Sequence, residues 1–145
     1  RITFEQVGPV QNHEQNLHVL RYSTSASRIG EENTFHEELG YWSWEPSTQE
    51  VMRSFLIPRG IALIAGGKAS RDAETFHLEA TNGSCTFGIC VNPFLDREFK
   101  ILAYEMTLTM HGRDSFSYEQ DTVIQIPGKK EPFHHRDRNT LHRVN

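Results

Sequence analysis

Long apolar runs and an excess of positive charge are both missing from this sequence of 145 residues. No apolar stretch approaches the roughly 20 residues that a membrane-spanning helix requires. Acidic residues (19) outnumber lysines and arginines (15), and the two signs are mixed along the chain, so the basic stripe of a nucleic-acid-binding domain is absent. We therefore expect neither a membrane span nor a nucleic-acid partner.

Cysteine is also scarce, because Cys85 and Cys90 are the only two. They are too few for a disulfide framework, although they could pair with each other. With no recognisable signal peptide, a reduced, cytoplasmic setting is the default expectation. The length fits a single domain over residues 1–145 and is sufficient for one full core.

The motifs of several enzyme classes are missing as well. The spacing of the eight histidines matches no zinc finger, zinc ribbon or His-Glu-x-x-His helix, so a metal site is not predicted. The segment Ala65-Gly66-Gly67-Lys68 lacks the full pattern of a phosphate-binding loop. Neither cysteine has a histidine nearby, and no serine lies in a nucleophile-elbow pattern. No catalytic residue is therefore predicted.

The dominant feature that is present is a period-two alternation of apolar and polar residues. Residues 103–109 alternate in this way, and residues 116–126 repeat the pattern, with Gln120 and Thr122 falling on the apolar face. Because successive side chains of a strand point to opposite sides of a sheet, each segment is predicted to be a strand with one buried face. The short link of residues 111–114 predicts a hairpin between them.

Similar segments fill most of the remaining chain. The further predicted strands are Ile2–Val7, Leu17–Thr24, Thr34–Trp44, Glu50–Ile57, Ile61–Ala69, Glu74–Ala80 and Phe133–Val144. Turn residues such as Gly8-Pro9 separate them, and residues 82–96 are the least regular. The sequence thus predicts an all-β fold, an antiparallel up-and-down β-barrel of about nine to ten strands whose interior could hold one small ligand. A sandwich is the alternative, but its crossovers fit the short connections poorly.

Two segments carry candidate binding residues. In Phe35–Trp44, His36 and Glu38 share one face of the predicted strand and could flank a ligand, or they could form a surface pair beside packed aromatics. In the last strand one face collects Arg136 and Arg138. If that face points inward, two guanidiniums predict an anion-binding interior, since a buried arginine needs a partner. In the alternative, these charges are solvated and the opposite face, with Phe133 and Leu141, points inward.

The run His36-Glu37-Glu38-Leu39-Gly40-Tyr41 resembles the His-x-Glu-x-Gly-Tyr strand of the nitrobindin family, and weaker similarity covers nearly the whole chain. The resemblance implies a ten-stranded barrel, related to fatty-acid-binding proteins, that binds ferric heme through a histidine of the last strand and acts on nitric oxide or peroxynitrite. Counting from Pro132 places Arg136 at that histidine position. His135, one residue earlier, would then face the other wall unless a bulge intervened.

Three functions follow as hypotheses. In the first, an apolar, anionic small molecule lies inside the barrel and is held by Arg136 and Arg138 with Gln120 and Thr122, beside His36 and Glu38. In the second, implied by the resemblance, heme is the cofactor, His36 and His135 are the candidate ligands, and the protein resembles a peroxynitrite isomerase. In the third, the interior is filled and the domain serves assembly, for instance as a homodimer.

Overall fold

The computed structural model describes residues 1–144, which form a single ten-stranded sheet and one short helix. The all-β class and the predicted strand number are confirmed. The elements are β1 (Ile2–Asn12), β2 (Gln15–Ser27), β3 (Thr34–Glu45), β4 (Glu50–Ile57), β5 (Ile61–Lys68), β6 (Thr75–Asn82), β7 (Gly88–Val91), α1 (Pro93–Glu98), β8 (Lys100–Met110), β9 (Ser115–Gln125) and β10 (Phe133–His142). In the described part of the chain, no helix is long and apolar enough to cross a membrane.

The strand order departs from a simple meander at one place. Strand β7 lies between β5 and β6, antiparallel to β5 and parallel to β6, whereas every other neighbouring pair is antiparallel. The irregular stretch of residues 82–96 therefore contains both β7 and α1, which are too short to show a periodic pattern. The Asn92 side chain begins α1 by accepting hydrogen bonds from the backbone N–H groups of Phe94 and Leu95.

The inner face of the curled sheet carries the core. Residues from distant strands meet there, and the most completely buried large side chains are Tyr22 of β2 and Leu78 of β6. On β8 the alternation predicted from the sequence holds, because Tyr104, Met106 and Leu108 are all buried. The buried core also includes Val51, Phe55, Leu63, Ala65, Ala69, Ala80, Ile89 and Ile101.

One side of the barrel is open between the first and last strands, an opening that we call the seam. Within residues 1–144, β1 and β10 exchange no backbone hydrogen bonds. Side chains nevertheless approach across the seam, since the ring of Phe4 on β1 lies 6.2 Å from that of Phe116 on β9. Phe4 remains 44% exposed and Phe133 of β10 51% exposed. The seam therefore leaves apolar inner-wall surface accessible.

The predicted turn at Gly8-Pro9 lies inside β1 instead. The pairing of β1 with β2 shifts register between Gln6 and Gly8, and Gly8 has a φ of 95°. This is a β-bulge, which glycine allows because it adopts positive φ without a steric penalty. Pro9 is tolerated since proline occurs in sheets at bulges and on edge strands, and β1 is an edge strand.

Candidate ligand-binding site

The pairing of β9 with β10 decides which side chains of the last strand face the interior. The register runs without a bulge from Phe133 opposite Ile124 to His142 opposite Ser115. Directly opposite residues of paired strands share one face of the sheet. Gln120 faces the interior, because its Oε1 accepts a hydrogen bond of 3.1 Å from the buried Tyr104 hydroxyl. Thr122, two residues on, shares this face, and so does its partner His135.

Arg136 and Arg138 therefore lie on the outer face, which corrects the expectation that they line the interior. Arg136 Nε donates to Asp121 Oδ2 at 3.0 Å, and its side chain is 73% exposed. Arg138 is opposite Glu119. The outward orientation is the less costly one, because it keeps the guanidiniums hydrated while Phe133 and Leu141 take inner-face positions.

The same register determines which residue near the start of the last strand faces inward. Arg136 is outside, and His135 faces inward in a regular strand with no bulge. Counting from Pro132 does not settle which face each residue takes, because Pro132 lies in the loop before β10. The residue count through a loop does not fix the parity of the strand that follows it, whereas the ladder of backbone hydrogen bonds does.

A shallow depression of about 480 Å³ on the outer face borders both arginines. It is also lined by Glu105, Glu119 and Asp121, which makes it unsuitable for an anionic ligand. Partial burial opposes ionisation of Asp121, but hydrogen bonds from His134 and Arg136 outweigh it and hold the pKa of this carboxyl below its ordinary value.

Another concavity, of about 950 Å³, lies at one end of the barrel. Its lining includes Leu39, Leu56 and Ala62, which follow one another across β3, β4 and β5 on the outer face. Of the candidate binding residues named from the sequence, only Glu38 borders it in the described part of the chain. This concavity is therefore separate from the inner wall that carries His135.

The inner wall around His135 offers an available imidazole. Thr122 is opposite His135, and the Phe133 ring lies 6.4 Å from the His135 ring. Among the described residues the His135 ring makes no hydrogen bond, and His135 is exposed. On β9, Tyr118 lies two inner-face positions from Thr122, and its hydroxyl donates to Asp137 Oδ2 at 3.0 Å. These neighbouring polar groups are therefore already paired.

Part of the interior is filled by a buried ionic group that we call the interior cluster: Tyr22, Glu38, Arg53 and Tyr104. Arg53 forms an ion pair with Glu38 and donates from Nε to the Tyr22 hydroxyl at 2.9 Å and from Nη1 to the Tyr104 hydroxyl at 2.5 Å. Tyr22 in turn donates to Glu38. The cluster links β2, β3, β4 and β8 across the barrel.

The sequence analysis missed Arg53, although a signal was present. In β4 the residues Val51, Arg53 and Phe55 share the buried parity, so an arginine interrupts an apolar face. Such an arginine requires a buried carboxylate. Glu38, on the adjacent strand β3, is that carboxylate. His36 lies near it, with Nε2 3.8 Å from Glu38 Oε2. The predicted pair of His36 and Glu38 is therefore brought together, with Glu38 in the interior cluster.

Burial raises the pKa of Tyr104 to about 12, although the neighbouring Arg53 charge opposes this rise. The unfolded chain would release this proton near pH 10. Since the folded pKa is the higher one, the stabilisation is complete below pH 10 and is lost as pH rises toward 12. We expect the free energy of unfolding of the wild type to fall more steeply between pH 10 and 12 than that of Tyr104→Phe, as measured by urea titrations. Equal slopes would contradict this assignment.

Comparison with known proteins adds to this geometry. Over residues 1–143 the sequence matches the family described as THAP4-like, heme-binding beta-barrel domain. The chain belongs to this family. The resemblance found in the sequence is thereby confirmed. A similar solved structure is that of Rv2717c from M. tuberculosis, with 22% identity and a TM-score of 0.62 over 90% of this chain and 80% of that chain. At this identity the likeness supports the fold alone. No curated protein matches the chain.

The inner wall of this THAP4-like domain fits the chemistry of heme. Heme iron is commonly held by a neutral histidine imidazole, and the porphyrin requires apolar surroundings. His135 supplies an unpaired imidazole on the inner face, and the half-exposed Phe133 supplies apolar surface beside it, whereas Phe116 lies farther along the wall, opposite Leu141. The interior cluster meets the same wall of β9, where the Tyr104 hydroxyl donates to Gln120. The family description thus supports a small-ligand-binding barrel.

Proposed function

We propose that this domain binds heme against the inner wall of β9 and β10, with His135 as the iron ligand. The observation that carries the proposal is the inward orientation of His135 in an unbroken register, with its ring free of hydrogen bonds among the described residues. The family description supports heme as the cofactor. The other candidate, His36, is less suited because it lies beside the Glu38 carboxylate at the start of β3.

The residues around His135 have separable roles in this proposal. Phe133 limits the rotation of the imidazole by ring contact, and Thr122 lines the wall opposite it. Gln120 extends the same wall, with its amide oxygen held by Tyr104. Bound heme would supply an iron centre able to react with nitric oxide or peroxynitrite, the activity that the nitrobindin resemblance implies. The open seam would give such small molecules access.

A carrier of fatty-acid-like anions is less well supported. That hypothesis needs an inward guanidinium to meet the ligand carboxylate. Arg136 and Arg138 are outside, and the buried Arg53 is already paired with Glu38. Gln120 and Thr122 stay candidate binding residues, because their inner-face position serves either ligand. Cytoplasmic location and homodimer formation also stay predictions, to be checked by fractionation and size-exclusion chromatography.

The test is reconstitution of the purified protein with ferric heme, followed by the Soret band. We expect His135→Ala to weaken heme binding by more than about tenfold, because loss of groups that merely support a metal ligand already costs 10–100-fold. Arg136→Ala is the matched control, since it changes the next residue of the same strand on the outer face and should leave the affinity unchanged.

Two results would argue against the proposal. One is wild-type protein that forms no Soret complex. The other is an unchanged heme affinity in His135→Ala. If only His36→Ala weakens binding, the iron ligand lies at the start of β3 instead. If the protein does not bind heme but does bind a fluorescent fatty acid, the carrier hypothesis is preferred.

A further inference from the structure

The interior cluster contains the chemical groups of a carboxylate-binding site. Arg53 offers a buried guanidinium, and the adjacent Tyr22 hydroxyl is a further hydrogen-bond donor. Arginine binds carboxylates through charge-assisted hydrogen bonds, which are stronger than neutral ones. Surrounding aromatic rings stabilise the cation as well, since Arg53 Cζ lies 4.6 Å from the Phe55 ring centroid and 5.2 Å from that of Tyr22.

The carboxylate in this site belongs to the protein itself. One oxygen of Glu38, Oε1, accepts hydrogen bonds from both Arg53 Nη2 and the Tyr22 hydroxyl. The Glu38 side chain is 7% exposed and that of Arg53 9% exposed, so the pair is shielded from solvent. A second carboxylate entering here would be repelled by Glu38 in a region of low dielectric constant, and it would find the donors already used.

We propose that Glu38 is a specificity-determining residue that makes the barrel interior reject ligands with a carboxylate head group. By occupying the donors of Arg53 and Tyr22, Glu38 reserves the interior for neutral, apolar parts of a ligand. This inference concerns the interior cluster, and its test does not require heme binding. It also gives a physical reason why a fatty-acid-like anion is disfavoured in a barrel that contains a buried arginine.

The experiment removes the Glu38 carboxylate by mutation and supplies acetate in solution as its replacement. Glu38→Ala retains Cβ and removes a group equivalent in size to acetate. Thermal unfolding of the wild type, Glu38→Ala and the double variant Glu38→Ala/Arg53→Met is measured in sodium acetate, in sodium chloride of equal ionic strength, and in chloride with added acetamide. Acetamide is the neutral control of matched shape.

We expect acetate, relative to chloride, to raise the Tm of Glu38→Ala by about 4 °C at a concentration of about ten times its Kd, since a ligand that binds only the folded state stabilises it. Acetamide should raise it less. Neither the wild type, in which Glu38 is present, nor the double variant, which lacks the guanidinium, should respond to acetate. If Glu38→Ala does not fold in chloride, the refolded fraction in acetate against chloride is the measurement.

The proposal is overturned if acetate neither stabilises nor refolds Glu38→Ala more than chloride does. It is also overturned if the wild type or the double variant gains as much from acetate as Glu38→Ala gains. The heme proposal has its own readout, the Soret band of His135→Ala, and neither result determines the other.

Discussion

Replacement of Arg53 with alanine is expected to lower the free energy of unfolding by about 3–5 kcal/mol, because it leaves the buried Glu38 carboxylate without its counter-ion. The Tyr104 and Tyr22 hydroxyls lose a donor at the same time. The guanidinium also fills space between the Phe55 and Trp42 rings, at 4.6 Å and 5.5 Å from their centroids, so the alanine variant loses packing as well as charge. Urea titration at neutral pH measures the difference.

The chain offers a matched control for this effect. Arg21 of β2 pairs with Glu5 of β1, also across neighbouring strands, but both side chains are about half exposed. Arg21→Ala should therefore lower the free energy of unfolding far less than Arg53→Ala does. Equal losses in Arg21→Ala and Arg53→Ala would mean that burial of the interior pair has no energetic consequence.

A double variant separates the loss of the ion pair from the exposure of an unpaired charge. In Arg53→Met/Glu38→Leu no charge is left in the interior, and apolar groups of similar size replace the pair. Such replacements of buried ion pairs are often neutral or stabilising. We expect this variant to be more stable than Arg53→Ala. If it is less stable, the hydrogen bonds of the two phenols contribute more than the unpaired carboxylate costs.

Replacement of Gly40 with alanine is expected to cost about 3 kcal/mol, the upper part of the usual range for inserting an extra group into a packed core. Gly40 of β3 is opposite Phe55 of β4. An added Cβ would lie 2.8 Å from the Phe55 Cβ and would overlap the backbone oxygen of Ser54. Backbone oxygen cannot move away without disturbing the ladder between β3 and β4, so relief of the overlap would displace the strand that carries Arg53.

Glu37→Ala is the control for this substitution, since Glu37 is an exposed residue three positions earlier on β3. Surface substitutions of this kind usually change stability by less than about 0.5 kcal/mol. Chemical denaturation of the wild type, Gly40→Ala and Glu37→Ala measures the free energy of unfolding of each protein. A Gly40→Ala variant as stable as Glu37→Ala would show that β3 and β4 can separate at little cost, and the close approach would then not explain the glycine of the His-x-Glu-x-Gly-Tyr run.

The two substitutions act on one structural unit. Gly40 allows β3 and β4 to approach closely, and this approach holds Glu38 and Arg53 on adjacent strands, where they form their ion pair. The same strand thus carries the motif that predicted the family and the carboxylate that neutralises the interior arginine. Gly40 and Glu38 are thus explained by the same requirement, the packing of the Arg53 charge inside a small barrel.

Most of the strands, and the faces of many of them, follow from the amino-acid sequence alone. Alternation in residues 103–109 and 116–126 placed Tyr104, Met106, Gln120 and Thr122 on the inner face, as the structure does. Period-two alternation is a local property, so a strand with one strongly apolar face can be read without knowing its partners. Strand β7 and helix α1 were not predicted, because four and six residues are too few to define a period.

The orientation of β10 and the partner of Arg53, in contrast, depend on how the strands pair in three dimensions. In β10 both faces contain polar residues, so alternation did not distinguish the face with Arg136 from the face with His135. The hydrogen-bond register with β9 distinguishes them. Glu38 and Arg53 are 15 residues apart and meet only because β3 and β4 pair. Local sequence specifies which residues alternate, whereas the register between strands specifies which side chains share the interior, since a shift of one residue reverses every side chain of a strand.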